Sequence, residues 1–150
     1  MKSINTNDSV ANLGAVAKHA LANYFPLISF KLPAGFPSPA TDYLEEGLDL
    51  NAFLVQHKEA SFIFQVKGQS MQLAGILDGD KVIVDKSLQA RHGDIVVAVV
   101  DGDFTIKRLF MRSQRIELHP ENPSYRPILF TDGQELKIWG VVVGSVRRYV

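Results

Sequence analysis

Residues 95–110 read IVVAVVDGDFTIKRLF. Two largely apolar runs flank Asp101-Gly102, a dipeptide that suits the tight turns of β-hairpins because both residues tolerate positive φ. A hairpin is therefore expected, with Lys107 in its second strand. Side chains alternate along a strand, so Lys107 shares a face with Thr105 and Leu109, while Ile106 and Arg108 point the other way. Outward from this hairpin the pattern repeats. Strands are predicted over 62–66, 81–84, 95–100, 104–110, 115–119, 128–130 and 136–146. Asp78-Gly79, His92-Gly93, Asn122-Pro123 and Asp132-Gly133 supply turns between most of them. The spacing predicts a compact, mainly antiparallel β domain. Its last run, IWGVVVGSVRRY, is apolar on both faces and suits a buried strand or a subunit interface.

Composition narrows the function classes. The chain has 150 residues, 16 basic and 16 acidic, and no net charge. That length supports one domain with a real core. A neutral chain is a poor electrostatic partner for DNA, so direct nucleic-acid binding is not expected. With no cysteine there is neither a disulfide framework nor thiolate chemistry. His19, His57, His92 and His119 lack metal-ligand spacing, and no metal or other cofactor is expected. Asp78-Gly79-Asp80 lacks the other ligands of a calcium loop and reads as a tight turn. Asp42, Glu45, Glu46 and Asp49 read as a solvated face rather than a carboxylate pair for hydrolysis. The apolar residues around them, including Leu48, Leu50, Phe53 and Leu54, are expected to pack on the sheet, with a turn of helix within 42–56.

The chemistry gathers around VKGQSM, residues 66–71. The alternating run SFIFQV reads as a strand, Gly68 breaks it, and Ser70 follows just past its end. Most serines in that position are turn formers, and a hydroxyl is a poor nucleophile without a neighbouring base. No histidine stands in a recognisable triad context, although chain order does not exclude a triad. Lys107 is the other candidate base, against its commoner fate as a solvent-facing strand lysine. To act it must lose its charge, which requires a pKa about three units below the usual lysine value, or roughly 4 kcal/mol. Burial can supply this, with Leu109 and Met71 as neighbouring walls.

Upstream, KLPAGFPSP (residues 31–39) is rich in proline, which favours extended backbone. It reads as a linker and equally as an exposed peptide that a protease cleft could bind, with small residues at Ala34 and Gly35. Residues 1–32 differ in character. Asp8 or Ser9 could cap a short helix over 10–21, weakened by Asn12 and Gly14, and a partly ordered arm is the expectation. Asn12, Lys18 and His19 interrupt any apolar core for a signal peptide or membrane anchor.

Three separated elements then carry a resemblance: Ala34-Gly35, Gly68-Gln69-Ser70-Met71, and Lys107 in the hairpin. From Pro33 to the C-terminus the chain resembles the self-cleaving serine peptidase domain of the LexA and UmuD family. The stretch PAGFPSPATDYLEEGLDLN, residues 33–51, is close to the UmuD and MucA branch. The space before the cleavage site is too short for the DNA-binding module of LexA-type repressors. Arg108 stands where a second lysine is often expected in this family, a departure expected to matter little because it faces away from Lys107.

The resemblance implies a compact β-rich peptidase domain of curled sheets over residues 35–150 and an N-terminal arm, 1–34, removed by self-cleavage. It implies Ser70 as nucleophile, Lys107 as general base and Ala34-Gly35 as the scissile bond. Backbone N–H groups of Gln69 and Ser70 are the candidate oxyanion donors. It further implies a cytoplasmic homodimer of the DNA-damage response. A RecA filament on single-stranded DNA would be the co-protease, and the processed form would be an accessory subunit of an error-prone Y-family polymerase. Two rivals stand beside it. A signal peptidase uses a similar Ser-Lys pair but needs a membrane anchor. A non-enzymatic β-domain binding module would use the same sheet with Ser70 as a turn residue.

Overall fold

A computed structural model describes residues 10–15, 22, 24–29, 31–39, 45–113, 115–130 and 133–150. It divides into two compact units, one of Met1–Lys18 with His57–Val150 and one of His19–Gln56. In the larger unit, β1 (Val10–Ala15), β4 (Ser61–Val66), β5 (Lys81–Asp85), β6 (Ile95–Val100), β7 (Asp103–Arg112), β8 (Arg115–His119), β9 (Ile128–Leu129) and β10 (Leu136–Val146) form one sheet. Its order is β1-β4-β5-β10-β6-β7-β8-β9, and every pairing is antiparallel. The mainly β, antiparallel expectation is met, and the predicted strands from residue 62 onward all occur.

The β6–β7 hairpin turns as its sequence requires, with φ of 48° at Asp101 and 90° at Gly102. Strand β6 is buried on both faces. Val97 joins a cluster of Phe64, Val66, Met71, Ile76, Val82, Val84 and Ile106. Its neighbours Val96 and Ala98 join Leu109 and Leu118 in a second cluster. Alternating side chains thus feed two cores from one strand.

The long apolar run at the end is the central strand β10, buried at Gly140 and Val141 but with Val143 and Val146 exposed. It pairs with β6 through Leu136–Val141 and with β5 through Val141–Val146, with register shifts near Gly140 and Gly144. Such irregularities bend a strand and increase its twist, which curls the sheet. Gly140 is required there by crowding: a Cβ would lie 2.6 Å from Val84 Cγ1 and 3.1 Å from the Asp85 carbonyl oxygen.

Two departures from expectation lie at the N-terminal side. Val10–Ala15 is a strand, not the start of a helix, and pairs with β4. Apolar residues at 10, 13, 16 and 17 imitate helical spacing, but the sheet edge at β4 offers this backbone a ladder of partners along one side. Residues 16–21 lie outside the described residues. The smaller unit holds β2 (Tyr24–Ile28) paired with β3 (Glu45–Asp49), a hairpin the sequence did not announce, followed by α1 (Leu50–Leu54). Pro26 is accommodated because each strand of a two-stranded sheet has a free edge. Asp49 caps α1, accepting the Asn51 N–H at 2.9 Å, so the turn of helix expected within 42–56 is present. Leu50 and Phe53 keep 48% and 65% exposure. Among the described residues, no helix is long and apolar enough to cross a membrane.

Candidate active site

Strand β4 runs out at Val66, and the loop to β5 carries Ser70. Gly68 at φ 92° turns the chain, and its N–H is held by Asp78 Oδ1 at 2.6 Å. Met71, only 1% exposed, anchors the loop in the core beside Ser70. A short 3-10 turn over Gln72–Ala74 then leads to Gly75. At the far end, Asp80 returns the chain to β5 through the Val66 N–H to Asp80 carbonyl bond of 2.8 Å.

Lys107 comes from β7, opposite Val96. Its side chain is buried, and Nζ donates to Ser70 Oγ at 3.0 Å, Thr105 Oγ1 at 3.0 Å and the Ile106 carbonyl at 2.9 Å. All three partners are neutral oxygens. Desolvation by burial lowers its pKa from 10.5 to about 8. About one amine in ten is then neutral at pH 7, against roughly one in a few thousand for an ordinary lysine. A neutral Nζ can accept the Ser70 proton instead of donating. Leu109 and Met71, the expected walls, are both buried.

The described histidines have other partners. His57 Nδ1 lies 2.6 Å from Asp85 Oδ2. His92 Nδ1 accepts the Met111 N–H at 3.0 Å, in the turn role foreseen for this residue. His119 Nε2 meets Glu117 Oε2 at 2.6 Å. The Ser70 hydroxyl is hydrogen-bonded to Lys107 and, among the described residues, to none of these histidines.

Gln69 and Ser70, the candidate oxyanion donors, sit beside this pair. No acceptor for either backbone N–H is found among the described residues. Ala34 and Gly35 belong to the smaller unit, in a stretch, 31–39, without helix or strand in which every residue is exposed. Among the described residues no cluster of potential ligands could hold a metal ion.

Three features escaped the sequence. Arg108 does face away from Lys107, but it is not idle: it donates to Glu121 and, at 2.7 Å, to the Gly93 carbonyl. Asn122, read only as a turn residue, donates to the Gln69 carbonyl at 2.8 Å. Arg147, read as one of two terminal charges, grips buried Asp80 with two bonds of 2.6 Å and the Gly75 carbonyl at 3.0 Å.

The curled antiparallel sheet thus presents the Ser70 hydroxyl to the buried Lys107. Sequence comparison supplies the family. A model of the family described as "Peptidase S24-like" matches residues 26–143. The chain is 46% identical to Protein SamA of Salmonella typhimurium over 123 residues, 82% of this chain and 85% of that protein. It is 40% identical to Protein MucA of Escherichia coli over 144 residues, 95% of this chain and 94% of that protein. It is also 40% identical to Protein ImpA of Escherichia coli, over 82% of this chain and 83% of that one. The chain belongs to the peptidase S24-like family of serine peptidases, and within it to the LexA-like UmuD and MucA type.

Proposed function

We propose that this protein is a self-cleaving peptidase of the DNA-damage (SOS) response that cuts its own Ala34-Gly35 bond. The supporting observation is the 3.0 Å contact between Lys107 Nζ and Ser70 Oγ in a desolvated setting. Neutral Lys107 takes the Ser70 proton as Oγ attacks the Ala34 carbonyl. The oxyanion of the tetrahedral intermediate is met by the Gln69 and Ser70 N–H groups. Protonated Lys107 then delivers its proton to the Gly35 nitrogen as the C–N bond breaks, which leaves Ala34 esterified to Ser70. Water, deprotonated by the same amine, releases the acyl group and restores the hydroxyl.

The substrate bond is tethered to the enzyme, so an external signal must decide when it docks productively. On family grounds that signal is a RecA filament on single-stranded DNA. The processed form, residues 35–150, acts in the cytoplasm as a homodimeric accessory subunit of an error-prone Y-family translesion polymerase. The test is incubation of the purified protein with activated RecA, reading new N-termini by mass spectrometry. A fragment beginning at Gly35 is expected, and neither Ser70→Ala nor Lys107→Ala should yield it. Wild-type cleavage rates in either variant would sink the reading. Lack of cleavage in the wild type at any pH, with or without RecA, would leave the β-domain binding module instead.

A further inference from the structure

Two consecutive residues outside the nucleophile loop clamp the peptide planes on both sides of Ser70. The Glu121 N–H donates to the Ser70 carbonyl at 2.7 Å. The Asn122 side chain donates through Nδ2 to the Gln69 carbonyl at 2.8 Å. The Glu121 carbonyl also accepts the Leu73 N–H at 2.8 Å, so the same segment holds the loop again three residues on. None of the described peptide bonds is cis. In a planar trans peptide the N–H points opposite to the C=O. Fixing the Gln69 carbonyl therefore fixes the Ser70 N–H, which has no protein acceptor among the described residues.

The segment is itself braced from the strand that carries the base. Lys107 reaches the Ser70 hydroxyl, while its neighbour Arg108, on the opposite face of β7, binds Glu121 and the Gly93 carbonyl. Adjacent residues of one strand thus hold the nucleophile's oxygen and the frame of its backbone. Asn122 Oδ1 has a separate task, accepting the Ser124 N–H at 3.0 Å to close its own turn.

We infer that Asn122 is a positioning residue that aims the Ser70 N–H at the oxyanion of self-cleavage by holding the Gln69 carbonyl. The inference rests on the peptidase reading above. An oxyanion donor stabilises charge only where it is preorganised, and removing one outright costs on the order of 10²–10³ in rate. A donor that is present but loosely held should cost about 10–100-fold.

The two faces of the Asn122 side chain can be separated. Asn122→Ala removes both bonds. Asn122→Asp keeps an acceptor for the Ser124 N–H but offers no donor to the Gln69 carbonyl. First-order self-cleavage of the full chain is measured across pH, beside thermal unfolding and the Gln69 carbonyl ¹³C shift. Both variants should cleave about 10–100-fold more slowly on the alkaline plateau. Asn122→Ala should keep the wild-type midpoint of the pH profile, since the contacts of Lys107 are untouched. The Gln69 shift should move in both, with Asn122→Asp unfolding near the wild-type temperature.

Wild-type rates in both variants would overturn the inference. So would a slow Asn122→Ala beside a fast Asn122→Asp, because the turn would then be the cause. A displaced pH midpoint in Asn122→Ala, or an unmoved Gln69 shift, would overturn it as well. If the wild type itself never cleaves, the peptidase reading fails first and takes this role with it.

Discussion

Asp80 and Lys107 are both nearly sealed from solvent, at 2% and 8% exposure, and both serve the loop between β4 and β5. Asp80 ends that loop and is fully answered: the Arg147 guanidinium binds both carboxylate oxygens, and the Leu77 N–H adds a third bond at 2.8 Å. The hydrogen bond from Arg147, helped by that from Leu77, holds its pKa below the usual 3.8 against the opposing effect of burial. Lys107 meets the middle of the loop with only neutral oxygens, and burial brings its pKa down to about 8. A paired charge stays fixed through the physiological range and holds structure. An unpaired one titrates near neutrality and can move a proton.

The two groups act on stability with opposite sign. Asp80 has a depressed carboxylate pKa, so its contribution is present above the unfolded value of 3.8 and is lost as pH falls through the lower folded value. Lys107 has a depressed amine pKa, so its burial opposes folding while the amine is charged. That penalty is full below about 8 and fades as pH rises towards 10.5. Integrated over that interval it amounts to roughly 3 kcal/mol.

The sharpest way to break the contrast is Lys107→Met. Self-cleavage should fall by at least about 10³-fold. The folded domain should gain roughly 1–3 kcal/mol at pH 7 in urea unfolding, a gain that shrinks as pH rises from about 8 and is nearly gone at 10.5. A loss of stability at pH 7 would mean that the three hydrogen bonds of Nζ outweigh its desolvation. Next in size is the pH dependence of the intact chain. Partner-free cleavage should rise about ten-fold from pH 7 to 9 and then level, as an amine titrating near 8 requires. A flat profile would remove Lys107 from the role of base.

At the other end of the loop, Arg147→Ala should lower the thermal midpoint by about 5 °C at pH 7. The deficit should narrow as pH drops below 3.8, where the wild type loses the same interaction. Calorimetry at pH 7 and pH 3 would detect the convergence, and an equal deficit at both would show that the ion pair contributes little. The smallest effect is expected from Thr105→Val. Removing one acceptor from the ammonium should move the midpoint of the rate profile down by roughly half a unit to one unit. An upward shift would contradict the claim that Thr105 favours the charged form.

Much of this was legible in the sequence because it is local. Alternation and the Asp101-Gly102 turn define β6 and β7, and strand periodicity alone puts Lys107 and Thr105 on one face. The serine-lysine pair, 37 residues apart, was reached through the family resemblance, since a serine past a strand end is by itself most often a turn former. What remained hidden depends on partners far along the chain. Arg147 lies 67 residues from Asp80, and Asn122 lies 53 from Gln69. Nothing within a window of ten residues distinguishes these side chains from an exposed terminal arginine or a turn asparagine. The strand at Val10–Ala15 was hidden for the same reason, since its structure is decided by the edge of β4 rather than by its own spacing.

That edge strand gives the proposed scission an aftermath. Val10–Ala15 lies upstream of residue 34 yet forms part of the sheet through its ladder to β4. Cutting the 34–35 bond would end the covalent link without undoing that ladder. The severed piece, held also by the β2–β3 ladder, would depart as a ligand does, at a rate set by how often these two short seams fray, and dilution rather than chemistry would govern when the rim of β4 stands open.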